Sequence, residues 1–154
     1  MTAPPARSAE QRKLDTLHRL ERDVDAWVAT AGAGGGEPYL VPLSFLWDGA
    51  TLLIATPAGS PTGRNPAATR TARLGIGPTR DVVMIEGAVE TLEPADVSEE
   101  DAELFAAKTG FDPRALRTRY LYFRIRPRRV QAWREAGELD GRDLMRDGAW
   151  LVAE

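Results

Sequence analysis

Asp48-Gly49 sits between two runs of β-forming residues, Tyr39 to Trp47 and Thr51 to Thr56. An Asp-Gly pair in that position is a strong two-residue hairpin signal, because the favoured turn needs positive φ at both central residues. The two runs are therefore predicted to pair antiparallel. Pro42 within the first run marks an edge, a bulge or a place where a ligand meets the backbone. The same grammar continues downstream. Arg73 to Gly77 reads as a strand, Pro78 to Asp81 turns the chain, and Val82 to Leu92 reads as a long strand with partial alternation. Tyr120 to Arg126 is another strand, continued by Val130 to Arg134 after Pro127. Strands that arrive as hairpins and a meander disfavour alternating βα units. The expected class is mainly β (α+β), an antiparallel barrel with peripheral helices.

The helices have their own signals. Ser8 to Gln11 has capping-box spacing, and Leu14, Leu17, Val24, Trp27, Val28 and Ala31 recur at helical intervals. This predicts a helix over 9–31 with Trp27 in the core. Residues 1–8, rich in Pro and Ala, are expected to be a disordered tail, with 9–154 forming one domain. Asn65-Pro66 has the pattern of an N-cap followed by proline at the first helical position, so 66–71 reads as a short helix. Ser98 starts a helix over 98–109 that ends at Gly110, and Asp112-Pro113 starts a shorter one. The tail, with Asp140-Gly141 and Asp147-Gly148, is either a final hairpin or a cover over the core.

Composition narrows the chemistry. There is no cysteine and a single histidine, His18, which excludes disulfides, thiolate nucleophiles, iron–sulfur clusters and a His/Cys zinc site. His18 lies off the apolar stripe beside Arg19 and Arg22, where a solvent-facing role fits better than a catalytic one. The hard chemistry of an enzyme built this way would belong to a bound cofactor. The net charge of -3 argues against nucleic acid as the main partner. The N-terminus lacks an apolar signal region and no stretch is long enough to span a bilayer, so no membrane partner and a cytoplasmic location are expected.

The most informative stretch runs from Thr56 to Asn65. A strand ends in Thr56, a Gly/Ser/Pro/Thr loop follows, and Gly63-Arg64-Asn65 leads into the Pro66 helix. The first N–H groups of a helix lack intrahelical partners and the dipole is positive there. Arg64 adds a guanidinium that forks onto phosphate oxygens, and Thr56, Ser60 and Thr62 add hydroxyls. The pattern reads as a phosphate cradle or, more plainly, as a capped surface turn. Arg124, Arg126 and Arg128 alternate and share a strand face. That face is either solvated and paired with carboxylates or an anion-lined groove. Trp47 reads equally as core or as the floor of a ligand groove. Trp133 is a candidate to cover an aromatic ring, and Tyr120 and Tyr122 to border the same groove.

The succession of these pieces, through the final Tyr122 to Glu135 segment with its proline, valine and tryptophan, resembles the pyridoxamine 5'-phosphate oxidase-like, flavin-binding split-barrel superfamily over residues 12–134. The resemblance implies a six-stranded split β-barrel. It implies a homodimer that holds FMN, or alternatively deazaflavin F-420, in two grooves between subunits. It also implies hydride transfer to or from a small-molecule substrate. Carried over by position, Leu43, Ser44 and Phe45 would run along the ring system. Thr56, Thr62, Arg64 and Asn65 would surround the phosphate, and Trp133 and Arg134 would approach from the other subunit. Many relatives carry a basic pair where this chain has Pro61-Thr62, so two charges are missing from the implied phosphate site. No catalytic acid or base is identified; Tyr39, Tyr120 and Arg134 are candidates for proton delivery or substrate orientation. A non-catalytic cofactor-binding or sequestering module and a ligand-free dimeric barrel are the competing readings.

Overall fold

The computed structural model describes residues 4–153. Helix α1 (Ala9–Arg22) starts at Ser8, whose hydroxyl accepts the Gln11 N–H, and ends at Asp23. The chain then enters strand β1 (Asp25–Ala31), where burial alternates and Ala26, Val28 and Thr30 point inward. The helix expected over 9–31 is therefore two elements. Its apolar spacing is real, but residues 25–31 gain strand partners on both sides, and that pairing overrides a weak helical pattern. Trp27 consequently lies 54% exposed on the outer face of β1 rather than in the core.

The remaining strands are β2 (Pro38–Ser44), β3 (Leu46–Trp47), β4 (Leu52–Pro57), β5 (Thr71–Ile76), β6 (Val82–Leu92), β7 (Tyr120–Trp133), β8 (Asp143–Arg146) and β9 (Ala149–Trp150). Helix α2 (Pro61–Thr69) joins β4 to β5, and α3 (Glu99–Thr109) lies between β6 and β7. All pairings are antiparallel, in the order β2-β1-β5-β6-β7-β4-β3. The two ends of this path belong to one run of chain. β2 pairs with β1, the run breaks at Phe45, whose N–H turns to Val24 O, and β3 pairs with β4. The sheet thus curls back on itself as a split barrel, with six strands if β2 and β3 count as one bent strand and seven if they do not. The expected hairpin forms with its turn one residue later: Asp48 N–H donates to Thr51 O, Gly49 and Ala50 are the central residues with Gly49 at positive φ, and the Asp48 side chain accepts the N–H groups of Ala50 and Thr51.

β7 runs unbroken through Pro127. Glu86 faces Arg129 and Gly87 faces Pro127, which leaves Arg128 as the extra residue of a bulge. On its other side β7 pairs with β4 through Tyr120–Ile125 and with β8 at Val130 and Gln131. Pro127 falls in the gap between those partners, where a missing N–H costs nothing. Gly87 opposite it is required, since a Cβ there would come 2.4 Å from Ile125 Cγ2. The expected C-terminal hairpin forms as β8–β9, with Asp147 and Gly148 both at positive φ.

The barrel interior is filled by Val28, Phe45, Leu52, Ile54, Leu74, Ile85, Phe123, Ile125 and Leu144, all nearly inaccessible. A second cluster of Leu53, Ala55, Phe105, Tyr120 and Tyr122 packs under α3. α1 closes one end with an unusual buried face of Arg12, Lys13, Thr16 and Leu20, while Leu14 is 51% exposed. Arg12 donates to the carbonyls of Ala132, Glu138 and Asp140, and Lys13 to that of Val152. Buried cations are tolerated when paired in this way. Of the tail expected to be disordered, residues 1–3 lie outside those described. Arg7 is docked, with its N–H and guanidinium on the Glu138 carboxylate and Nη1 2.9 Å from Asp15.

Candidate functional site

β4 delivers Thr56 to the edge of the barrel, and a short loop leads into α2. The helix begins earlier than expected. Ser60, not Asn65, is the N-cap: its hydroxyl accepts the Gly63 N–H and its carbonyl that of Arg64. Pro61 takes the first helical position, where it loses no hydrogen bond, and Pro66 lies inside the helix. The Gly63 and Arg64 amides are therefore taken up by Ser60 and are not free to cradle an anion. Gly63 is forced by close packing, because a Cβ there would sit 2.4 Å from Pro57 O.

Side chains remain as the anion-binding groups. Thr56 Oγ1 lies 3.2 Å from Ser60 Oγ. Thr62 is 2% exposed and its hydroxyl has no hydrogen-bond partner among the described residues. Arg64 is exposed, with no carboxylate within 4.0 Å among the described residues. Asn65 turns sideways and donates to Thr30 Oγ1 at 3.2 Å, tying α2 to β1. Ser60 Oγ donates to Pro57 O at 2.8 Å, and Thr62 and Arg64 leave opposite sides of α2, so the exposed Arg64 guanidinium is the group here that fits a phosphate monoester, with the Thr56 hydroxyl beside Ser60. The fit rests on side chains alone.

The strand expected to run along a ring system divides in two. Leu43 and Ser44 are half-buried and line a cleft of about 330 Å³ with Asp25, Pro42, Ala55, Phe105 and Phe111. Ser44 Oγ donates to Asp25 Oδ1 at 2.7 Å. Phe45 is fully buried; its ring lies under Lys108 Nζ at 4.2 Å, and its side chain cannot reach a ligand. Burial holds the Lys108 ammonium below its ordinary pKa, while Nζ donates to Leu20 O. Phe105, Phe111 and Asp25 went unrecognised as cleft residues. Phe105 and Phe111 come from a distant helix and its following loop, and Asp25 fell inside the over-long helix.

Trp133 and Arg134 stand at the other end of the barrel. Leu121 pairs with Thr56 and Trp133 with Val82. Twelve residues of β7 therefore lie between the two groups, a contour of roughly 40 Å that the bulge at Arg128 shortens. The Arg142 guanidinium lies 6.0 Å from the Trp133 ring, and Arg134 is bound to Asp81 at 3.2 Å. Tyr120 and Tyr122 are buried edge-to-face against each other at 5.5 Å, with the Tyr122 phenol pushed up to about 12 by burial, so they do not border an open groove. His18 is exposed on α1.

A curled antiparallel sheet whose two ends are one bent run of chain, with a short helix joining β4 to β5, defines the chain as a split-barrel protein. A family model described as pyridoxamine 5'-phosphate oxidase matches residues 18–134. The chain belongs to that family. The solved structures it resembles include an F420 reductase (18% identity, 73% of this chain and 93% of the other, TM-score 0.61). They also include an FAD-binding protein from Mesorhizobium loti (22% identity, 81% and 93%, TM-score 0.59). A third is a protein from Clostridium acetobutylicum related to general stress protein 26 (15% identity, 82% and 90%, TM-score 0.59). At these identities the likeness establishes a shared fold. No curated protein matches the chain significantly in sequence. Among the described residues no helix is long and apolar enough to cross a membrane.

Proposed function

We propose that the protein is a cytoplasmic homodimer, each chain one barrel domain over residues 9–154, that binds FMN between its subunits and serves a small-molecule substrate. The supporting observation is the separation along β7. Arg64 and Thr56 stand at one end of the barrel and Trp133 and Arg134 at the other, so only a second copy can bring the two groups to one ligand. The outer face of β1 and β2 offers a surface for that copy: Trp27 and Leu40 are 54% and 60% exposed, with Pro42 paired beside Trp27.

In this arrangement Arg64 and Thr56 hold the phosphate. Leu43 and Ser44 border the ring, while Trp133 and Arg134 of the partner subunit cover it. The bound flavin supplies hydride transfer. The chain's part is to bind, orient and exclude water. Deazaflavin F-420 is the alternative cofactor, favoured by the shared fold with an F420 reductase.

Titration of the purified protein with FMN and with F-420, followed by absorbance, tests the reading. A bound spectrum with one of them is expected, and Arg64→Ala should weaken it by about tenfold. No spectral change with either at high micromolar concentration overturns it. Binding without turnover of any reduced donor makes the protein a cofactor carrier.

A further inference from the structure

The gap beside β7 at residues 126–129 opens as a groove. One wall is the β3–β4 hairpin, with Trp47, Gly49 and Ala50. The other is the β8–β9 hairpin, with Met145, Asp147, Gly148 and Trp150. The floor is Arg126, Pro127 and Arg128, and the volume is about 380 Å³. The Arg128 carbonyl accepts the Gly148 N–H, which fixes the hairpin against the bulge. Around that bulge a second hollow of about 400 Å³ continues, sharing Arg128 and Asp147 and adding Arg70, Arg129 and Arg146. One end is thus lined by two tryptophans and the other by arginines.

The charges are not balanced within the groove. Arg129 and Arg146 are bound to Asp143, and Glu86 is held by Arg73 and Arg129. Arg70, Arg126 and Arg128 have no carboxylate within 4.0 Å among the described residues, in a protein of net charge -3. Two of them stand on irregular backbone: Arg70 caps α2 at φ 59, and Arg128 is the bulged residue. Asp147 is the carboxylate at the junction and limits how closely an anion approaches there.

We infer that this groove is a binding site for a nucleoside polyphosphate, separate from the groups at the start of α2 and from the cleft beside Leu43 and Ser44. The base lies against Trp47 and Trp150, as flat rings prefer, and the phosphates extend over Arg126 and Arg128 toward Arg70. A volume of this size suits such a ligand. The inference does not depend on flavin binding.

The test is a titration of the purified full-length protein with ATP, read by calorimetry and by tryptophan fluorescence excited at the red edge. Saturable binding with a fluorescence change is expected. Trp47→Phe with Trp150→Phe should remove the fluorescence change, and Trp27→Phe should leave it. Arg126→Ala with Arg128→Ala, both exposed and outside the core, should weaken ATP by at least about tenfold. Adenosine and pyrophosphate should each bind more weakly than ATP. Three results overturn the inference: no binding at millimolar ATP, pyrophosphate binding as tightly as ATP, or a single-stranded oligonucleotide binding far more tightly than ATP. Circular dichroism confirms that the variants fold.

Discussion

Replacing Glu138 by glutamine probes the contact that fastens the N-terminal segment to the barrel. Glu138 is 4% exposed. Its carboxylate accepts the backbone N–H groups of Arg7 and Arg134, both at 2.8 Å, and Arg7 Nη2 at 2.7 Å. The Arg7 and Arg12 side chains are themselves only 10% and 5% exposed. The Arg7 hydrogen bond, opposed in part by burial, holds the carboxyl down at about 2 against an ordinary value of 4.5. At 1.36 kcal/mol per unit this depression corresponds to about 3 kcal/mol of folding stability. A lowered carboxyl pKa stabilises fully above the ordinary value, and the contribution disappears as pH falls from 4.5 toward 2. Glutamine keeps the shape but leaves the Arg7 cation only Asp15 at 2.9 Å and Asp81 at 3.7 Å, so a loss of up to about 3 kcal/mol is expected at pH 7. Urea unfolding of both proteins at fixed concentration, between pH 7 and pH 2.5, measures it. Asp48, Asp112 and Asp143 also have lowered pKa values but share no partner with Glu138, so the subtraction removes them, whereas Asp15, lowered in part by the same Arg7, responds to the substitution. The gap should be widest at pH 7 and shrink steadily below pH 4.5. A gap that is constant with pH, or under about 1 kcal/mol at neutrality, refutes the reasoning.

Gly87→Ala should destabilise by about 1–3 kcal/mol in the same assay, because its methyl group would overlap Ile125 and press on the Arg126 carbonyl at the bulge. Trp27→Glu should convert the proposed dimer to monomer in sedimentation experiments with little change in monomer fold, since that side chain is already half in solvent.

Much of the barrel is legible because its strands are bounded by residues with turn chemistry. Asp48-Gly49, Pro78 to Asp81 and Asp147-Gly148 each fall where the chain reverses, and the Val82–Leu92 strand and the Ser98 cap lie where their signals place them. β1 was hidden because two of its inward positions are Ala26 and Thr30, which carry little hydrophobic signal. The start of α2 was misplaced because Ser60-Pro61 and Asn65-Pro66 carry the same local grammar, and only packing of Gly63 on Pro57 chooses between them. The buried face of α1 was unreadable for a different reason. Arg12 and Lys13 go inside only because carbonyls more than 115 residues away receive them. At the candidate site, Thr56 and Ser60 are brought together by one turn of chain, while Thr62 and Arg64 leave opposite sides of α2. Trp133 and Arg134 are not brought to it, and no local pattern reveals that they stand at the opposite end of the barrel.

The central position of β7 also governs how the molecule is made. β4 is almost entirely apolar and buried, yet its only other strand neighbour is the two-residue β3. Until residues 120–133 are made, β4 and β6 both lack the long strand that pairs with them. The barrel therefore closes only once its last long strand is available, and two unpaired edges stay open to misassociation until then.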